Sequence, residues 1–268
     1  MSDQLDLLPK KLSPSRISDF HQCPKKFYYK TIEKLPDPQT EEAMRGTIAH
    51  DVLEEMYKLE KSQRTEETAL QLLEVLWPKY EAKADFARLE EDKPGLKARM
   101  DKFIRKCLKN YFKIENPTMY DPTALEKYVC FEIPDGPVVH GFIDRVDEIN
   151  FQGEDRTYIS DYKTGKIPHP KWASKNFYAM RIYAYLMYQL TGQIPEALHL
   201  IYLQGTTRER AVLREKVTQN TITQAEQELK TSWVKIQQAA AEEKWPAKPS
   251  VLCNWCAFKD LCPEATLK

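Results

Sequence analysis

Residues 126–166, EKYVCFEIPDGPVVHGFIDRVDEINFQGEDRTYISDYKTGK, carry the change of period that decides the fold. Within them EKYVCFEI, VVHGFIDRVDEI and RTYISDYK are short and rich in β-branched and aromatic residues. Turn formers such as PDGP divide them, so they read as successive strands. Upstream, Ile48, Val52, Met56 and Leu59 recur at helical spacing in MRGTIAHDVLEEMYKL, and two more helices are expected near 66–83 and 95–113. Before them, residues 13–32 read as a short helix and a turn. Downstream, NFYAMRIYAYLMYQLTG returns to helical period and ends on Gly192, a good C-terminal cap. ALHLIYL is a continuous apolar strand of the kind buried within a sheet, followed by a strand near RAVLREKV and a long helix at about 221–243. The order of helix, three strands, helix and strand, with a helical insert at 60–120, predicts an α/β fold with a mixed sheet.

The bulk numbers exclude whole classes of function. In 268 residues, a hydrophobic content of 42% is enough to bury a core. Forty basic residues balance forty acidic ones, so no global field favours nucleic acid or membrane, and any such binding must use a local patch. No apolar run approaches the roughly 20 residues of a membrane helix, and MSDQLDLLPKK has no segment resembling a secretion signal. No membrane partner is expected, and a cytoplasmic location is the default.

Asp144 in GFIDRVDEI and Asp161 in YISDYK each follow an apolar strand stretch, so on paired strands their carboxylates can converge. An ionised pair in a half-buried place is costly unless a cation neutralises it, and oxygen ligands favour Mg²⁺ or Mn²⁺. Lys163 shares the face of Asp161 and can orient a water or stabilise charge on a phosphate. Taken alone, an Asp-x-Lys at a strand end is more often a solvated turn or ion pair. TGK is no phosphate-cradling loop, because position 160 is Ser where that pattern has Gly. His50 lies off the apolar stripe of its helix. A lone helix His is more often structural or exposed, although an imidazole beside two carboxylates suits Mn²⁺ as well as Mg²⁺. Lys25, Lys26 and Lys30 beside Phe27, Tyr28 and Tyr29 offer phosphate contacts with stacking surfaces; a solvated helix face with buried rings is the equal alternative. Lys166 is a further candidate phosphate contact.

CNWCAFKDLCP places Cys253, Cys256 and Cys262 in a C-x2-C-x5-C array, a strong metal signal in a chain with no export signal. Cys23 in QCPKKF is the natural fourth ligand, since it too precedes a proline. Four thiolates fit either zinc or an iron-sulfur cluster, and either would tie the two ends of the chain together. Cys107 and Cys130 read as core residues.

Together, LSPSRISDFHQCPKKFYY, RGTIAH, GFIDRVDEI, DYKTGK and the terminal CNWC…LCP resemble, in family order from about Ser13 to Pro263, the RecB-like branch of the PD-(D/E)XK nuclease superfamily, including the iron-sulfur nucleases of the AddB and CRISPR-adaptation type. The resemblance implies a restriction-endonuclease-like core in a single domain spanning 1–268. It implies that His50, Asp144 and Asp161 ligate a divalent metal (Mg²⁺ or Mn²⁺) with help from the Tyr162 carbonyl, and that Lys163 is the catalytic lysine. It further implies that Cys23, Cys253, Cys256 and Cys262 hold a [4Fe-4S] cluster in a subdomain built from 13–35 and 245–265. Tyr183 matches the Tyr of the family's Q-x-x-x-Y helix, and Ala179 stands where that motif has Gln, with Asn176 and Arg181 as neighbours that could stand in. The activity implied is cleavage of DNA, on single strands or ends, in repair or recombination, with any helicase or CRISPR partner on a separate chain. A non-catalytic nucleic-acid-binding protein of the same fold is the alternative, and a zinc-stabilised interaction protein the third reading.

Overall fold

Three strands form where the alternation placed them. In the computed structural model, which describes residues 4–265, they are β2 (Ala124–Glu132), β3 (Val138–Phe151) and β4 (Glu154–Lys163). The PDGP turn closes β2 onto β3 in an antiparallel register running from Glu132↔Val138 to Ala124↔Val146. β4 pairs antiparallel with β3 only from Arg145↔Ser160 outward to Phe151↔Glu154. On that same edge, the far end of β3 takes a two-residue strand, β1 (Lys11–Leu12), in parallel. Beyond β4 come a parallel β5 (Ala197–Tyr202) and an antiparallel β6 (Val212–Lys216), which complete a mixed six-stranded sheet.

Helices cover both faces. Next to β1 lie α1 (Pro14–Gln22), opened by Ser13 with Pro14 at its first position, and the short α2 (Pro24–Phe27), which runs into a π turn at Tyr28–Ile32. α3 (Glu41–Tyr57) is capped by Thr40, and α4 (Glu66–Glu81) by Thr65. α5 (Ala84–Asp92) and α6 (Leu96–Ile114) follow, the latter starting after Gly95 at φ 81°. α5, which the expected helices do not include, is nine residues long and buries only Phe86. After the sheet's centre come a short turn α7 (Pro170–Ala173), α8 (Tyr178–Thr191) ending on Gly192 at φ 73°, another short turn α9 (Arg208–Ala211), and α10 (Gln219–Ala241).

Each face of the sheet has its own core. Val129, Val139, Ile143 and Ile159 pack against Ile17 of α1, Ile182 and Tyr185 of α8, and Leu229 of α10. On the other face Tyr162, Ile201 and Leu203 meet Ile48 and Val52 of α3, Leu73 and Trp77 of α4, and Ile104 and Tyr111 of α6. The expected stripe of α3 is thus buried, and its off-stripe residue His50 is left at the sheet's margin, partly exposed. Among the described residues, no helix is long and apolar enough to cross a membrane.

Candidate active site

The site grows out of the place where two strands part. The last β3–β4 pair is Arg145↔Ser160, so the next residues inward, Asp144 and Asp161, sit at a fork between the strands. There the Tyr162 N–H, which no β3 carbonyl takes up, donates to Asp144 Oδ2 at 2.8 Å. The fork converts a strand alternation into a carboxylate aimed at a gap in the sheet.

α3 closes the gap from one side. His50 Nε2 lies 2.8 Å from the Tyr162 carbonyl oxygen, and its Nδ1 lies 3.3 Å from Asp144 Oδ2. Gly46, one turn earlier on α3, lets that helix approach the chain after β4; a Cβ there would stand 3.2 Å from Thr164 Oγ1. His50, Asp144, Tyr162 and Lys163 share one pocket lined also by Glu126.

Lys163 Nζ lies 2.6 Å from the buried Asp161 Oδ2. Burial, and then the neighbouring Asp144, push the Asp161 carboxyl up to about 6. Burial works against the Lys163 ammonium, but Asp161 outweighs it and the net shift is upward, so this lysine is a fixed cation at neutral pH.

Glu126 is a residue that the sequence reading did not single out. In the β2–β3 register it falls opposite Asp144, and its backbone adopts φ 43°, a left-handed conformation that non-glycine residues rarely take. Ligand atoms of His50, Glu126 and Asp144 lie within 4.8 Å of one another, a set that does not include Asp161. Burial and then Asp144 push the Glu126 carboxyl up to about 7. The turn motif does not give this away: PDGP is centred between Asp135 and Gly136, whereas the Ile133 N–H donates to the Pro137 carbonyl and centres the register on Asp135, which sets Glu126 across from Asp144.

An imidazole, carboxylates and the Tyr162 carbonyl form a donor set of the kind Mg²⁺ and Mn²⁺ take, and the crowding of the Glu126 and Asp161 carboxyls against Asp144 is what a cation would relieve. The residues present fit such an ion. Behind them Tyr162 is anchored by its hydroxyl, which accepts from Arg145 Nη1 at 2.8 Å. Arg145 is buried and also bridges Glu115 and Asp147, each at 2.9 Å.

Tyr183 reaches the same region from α8 on the opposite face. It lies against Gly141, where a Cβ would come within 2.6 Å of its Cε1. Burial, and then Asp161 and Asp144, raise its phenol well above the usual range. Ala179 is on the first turn of the same helix. Asn176 is exposed, and Arg181 is taken up by Glu215, at 2.6 and 2.5 Å.

The cysteines lie apart from these carboxylates. Cys23, Cys253, Cys256 and Cys262 are free thiols lining one cavity of about 250 Å³. Among the described residues no three of them bring their sulfurs within 4.8 Å of one another. One tetrahedral zinc, with Zn–S of about 2.3 Å, would hold its sulfurs about 3.8 Å apart. Backbone N–H groups of Lys248 and Ser250 donate to Cys23 Sγ and Cys253 Sγ, each at 3.4 Å. Cys107 is buried as expected, whereas Cys130 is only partly buried, on the outer face of β2 rather than in the core.

The basic-aromatic run near the N-terminus divides. Phe27 is buried and stacks on Trp245, Lys26 pairs with Asp19, and Lys30 pairs with Asp19 and Asp37. Lys25 lies over the Tyr29 ring beside the cysteine cavity, and Lys166 is exposed after β4.

The profile of the PD-(D/E)XK nuclease superfamily matches residues 11–263. The chain belongs to that superfamily. This nuclease-superfamily chain also resembles the crystal structure of a candidate exonuclease from Eubacterium rectale, with a TM-score of 0.51 and 14% identity over 100% of this chain and 92% of that one. At that identity the likeness speaks for the fold. No curated protein sequence matches it.

Proposed function

We propose that this protein is a divalent-metal-dependent deoxyribonuclease acting on single strands or DNA ends in repair or recombination. The observation that carries the reading is the fork: Asp144 and Asp161 meet beside a lysine held as a cation, with His50 and the Tyr162 carbonyl across the gap. His50, Asp144, Asp161, Glu126 and the Tyr162 carbonyl would hold Mg²⁺ or Mn²⁺, which when bound supplies charge neutralisation and Lewis acidity toward a phosphate oxygen. Lys163 donates to the attacking water or to the phosphate and stabilises the negative charge that builds there. Asp161 keeps Lys163 in place, and the Arg145–Tyr162 contact holds the carbonyl.

Cleavage assays with Mg²⁺ or Mn²⁺ on single- and double-stranded DNA with free or blocked ends test this directly. Lys163→Ala should lower the rate about 10²–10³-fold, the scale of losing one charge-stabilising donor, while DNA binding stays near wild type. Undiminished cleavage by that variant refutes the assignment. The second reading, a nucleic-acid-binding protein without catalysis, rests on Ala179 in place of the family Gln; it predicts binding with no cleavage under any metal.

The cysteine cavity reads best as the seat of a [4Fe-4S] cluster. Among the described residues no three of its sulfurs lie within 4.8 Å of one another, and N–H donors approach two of them, as iron-sulfur sites use to tune potential. Partners follow the same reading: DNA, and a helicase or other repair or CRISPR component as a separate chain.

A further inference from the structure

We infer that the open face of the β2–β3 ribbon next to the carboxylates is a stacking platform for the unpaired bases of a single-stranded nucleic acid, with Tyr128 and Phe142 as its rings. The inference rests on the nuclease reading of the neighbouring site and adds where the strand lies. In the hairpin register Tyr128 pairs with Phe142 and Cys130 with His140, one and two rows beyond the level of Glu126 and Asp144. Side chains two residues apart on a strand share a face, so the ring row follows the acidic row at about 7 Å. Phe142 is 52% and Tyr128 47% exposed, whereas Val129, Val139 and Ile143 on the other face are buried under α8.

The patch is continuous. The Tyr128 and Phe142 rings are 5.2 Å apart and tilted by 52°, and the His140 ring lies 6.0 Å from Tyr128. Lys11 Nζ stands 5.8 Å from the Tyr128 centroid and donates to its hydroxyl at 3.2 Å, and Arg16 donates to the Lys11 carbonyl. Both cations are thus held by neutral oxygens, unlike Lys26 and Lys30, which are held by Asp19. A cross-strand aromatic pair does stabilise a hairpin, but two half-exposed rings leading straight to a catalytic acid pair offer what a strand entering the site needs. A duplex keeps its base faces covered by its own stack; a single strand presents them. With a chain of zero net charge, rings plus two local cations provide the grip that a global field does not.

Fluorescence anisotropy with a labelled oligothymidylate and a labelled duplex, both in EDTA so that nothing is cut, tests the platform. The double variant Tyr128→Ala and Phe142→Ala should bind the single strand about ten- to hundredfold more weakly, given what one stacked base contributes, with duplex binding changed less than about twofold. Phe142→Trp and Tyr128→Phe, which keep a ring, should bind like wild type and separate stacking from misfolding. Lys11→Ala should reduce the salt dependence of binding by about one counterion. Single-strand binding unchanged in the double alanine variant, or lost equally in the ring-retaining variants, overturns the platform while leaving cleavage by wild type to support the nuclease. A dimer in sedimentation that the double variant dissolves would assign the face to self-association and overturn it too. Wild type that neither binds nor cuts any strand overturns both readings.

Discussion

Glu126 shows how one residue reaches a site that its own strand does not advertise. Its left-handed backbone and its place across from Asp144 bring its carboxylate to within 4.8 Å of the His50 and Asp144 donors. Two carboxyls here have raised pKa values, Glu126 at about 7 and Asp161 at about 6, each through burial first and the charge of Asp144 second. The sign follows. A carboxyl raised in the folded state binds its proton more tightly there than when unfolded, so its ionisation weakens the fold, and that cost is relieved as pH falls through about 7 and 6. A cation needs the ionised forms, so Mn²⁺ should raise the melting temperature clearly at pH 8 and much less at pH 5.5. A larger shift at the lower pH contradicts the assignment. Glu126→Gln should lower Mn²⁺ affinity, read by calorimetry, by at least the roughly 10–100-fold that weaker outer-shell changes cost. Gly141 argues at the same scale: Gly141→Ala drives a methyl to 2.6 Å from the Tyr183 ring, and should cost about 1–3 kcal/mol in urea denaturation and slow cleavage by displacing the phenol.

At the scale of the element, β3 decides both the sheet and the site. Its alternation was legible, as were the stripe of α3, the Gly192 end of α8 and the apolar run of β5, because each repeats one period over enough residues to stand out. What stayed hidden depends on pairing rather than on pattern. β1 is two residues long, α5 buries one side chain, and the parting of β3 from β4 at Asp144 is a property of two strands together. Burial of Arg145 was hidden for the same reason, since a charge written into a strand says nothing of the Glu115 and Asp147 that meet it. That cluster makes a prediction about β3 as a beam. Arg145→Met leaves the buried Asp147 carboxylate without its cation, leaves Glu115 with Arg208 alone and frees the Tyr162 hydroxyl, so it should cost about 3–5 kcal/mol. Adding Glu115→Gln to the variant should recover part of that loss; a near-neutral Arg145→Met in urea denaturation would show that the cluster does not brace the strand.

Across the whole molecule, the cysteine cavity joins segments that the chain keeps farthest apart. Cys23 follows α1, and Cys253, Cys256 and Cys262 follow α10, while Phe27 on Trp245, Tyr29 on Phe258 and the Tyr29 hydroxyl on the Leu261 carbonyl pack the two segments together. The motif spacing announced the thiols, but spacing alone does not choose between one ion and a cluster. A cross-link between residue 23 and residues beyond 250 closes a loop of nearly the full chain, which restricts the unfolded state more than a short loop does. The metal site is built by β2, β3, β4 and α3, none of which carries a cysteine of the cavity, so losing the cavity's occupant should lower stability before it alters the metal site. Cys256→Ser should therefore bleach the visible absorbance of anaerobically purified protein, lower the melting temperature by several degrees and open residues 245–265 to limited proteolysis, while Mn²⁺ still binds at the fork. A colourless wild type carrying stoichiometric zinc would replace the cluster by an ion. Loss of Mn²⁺ binding in an otherwise folded Cys256→Ser protein would show that the two sites are coupled through the sheet.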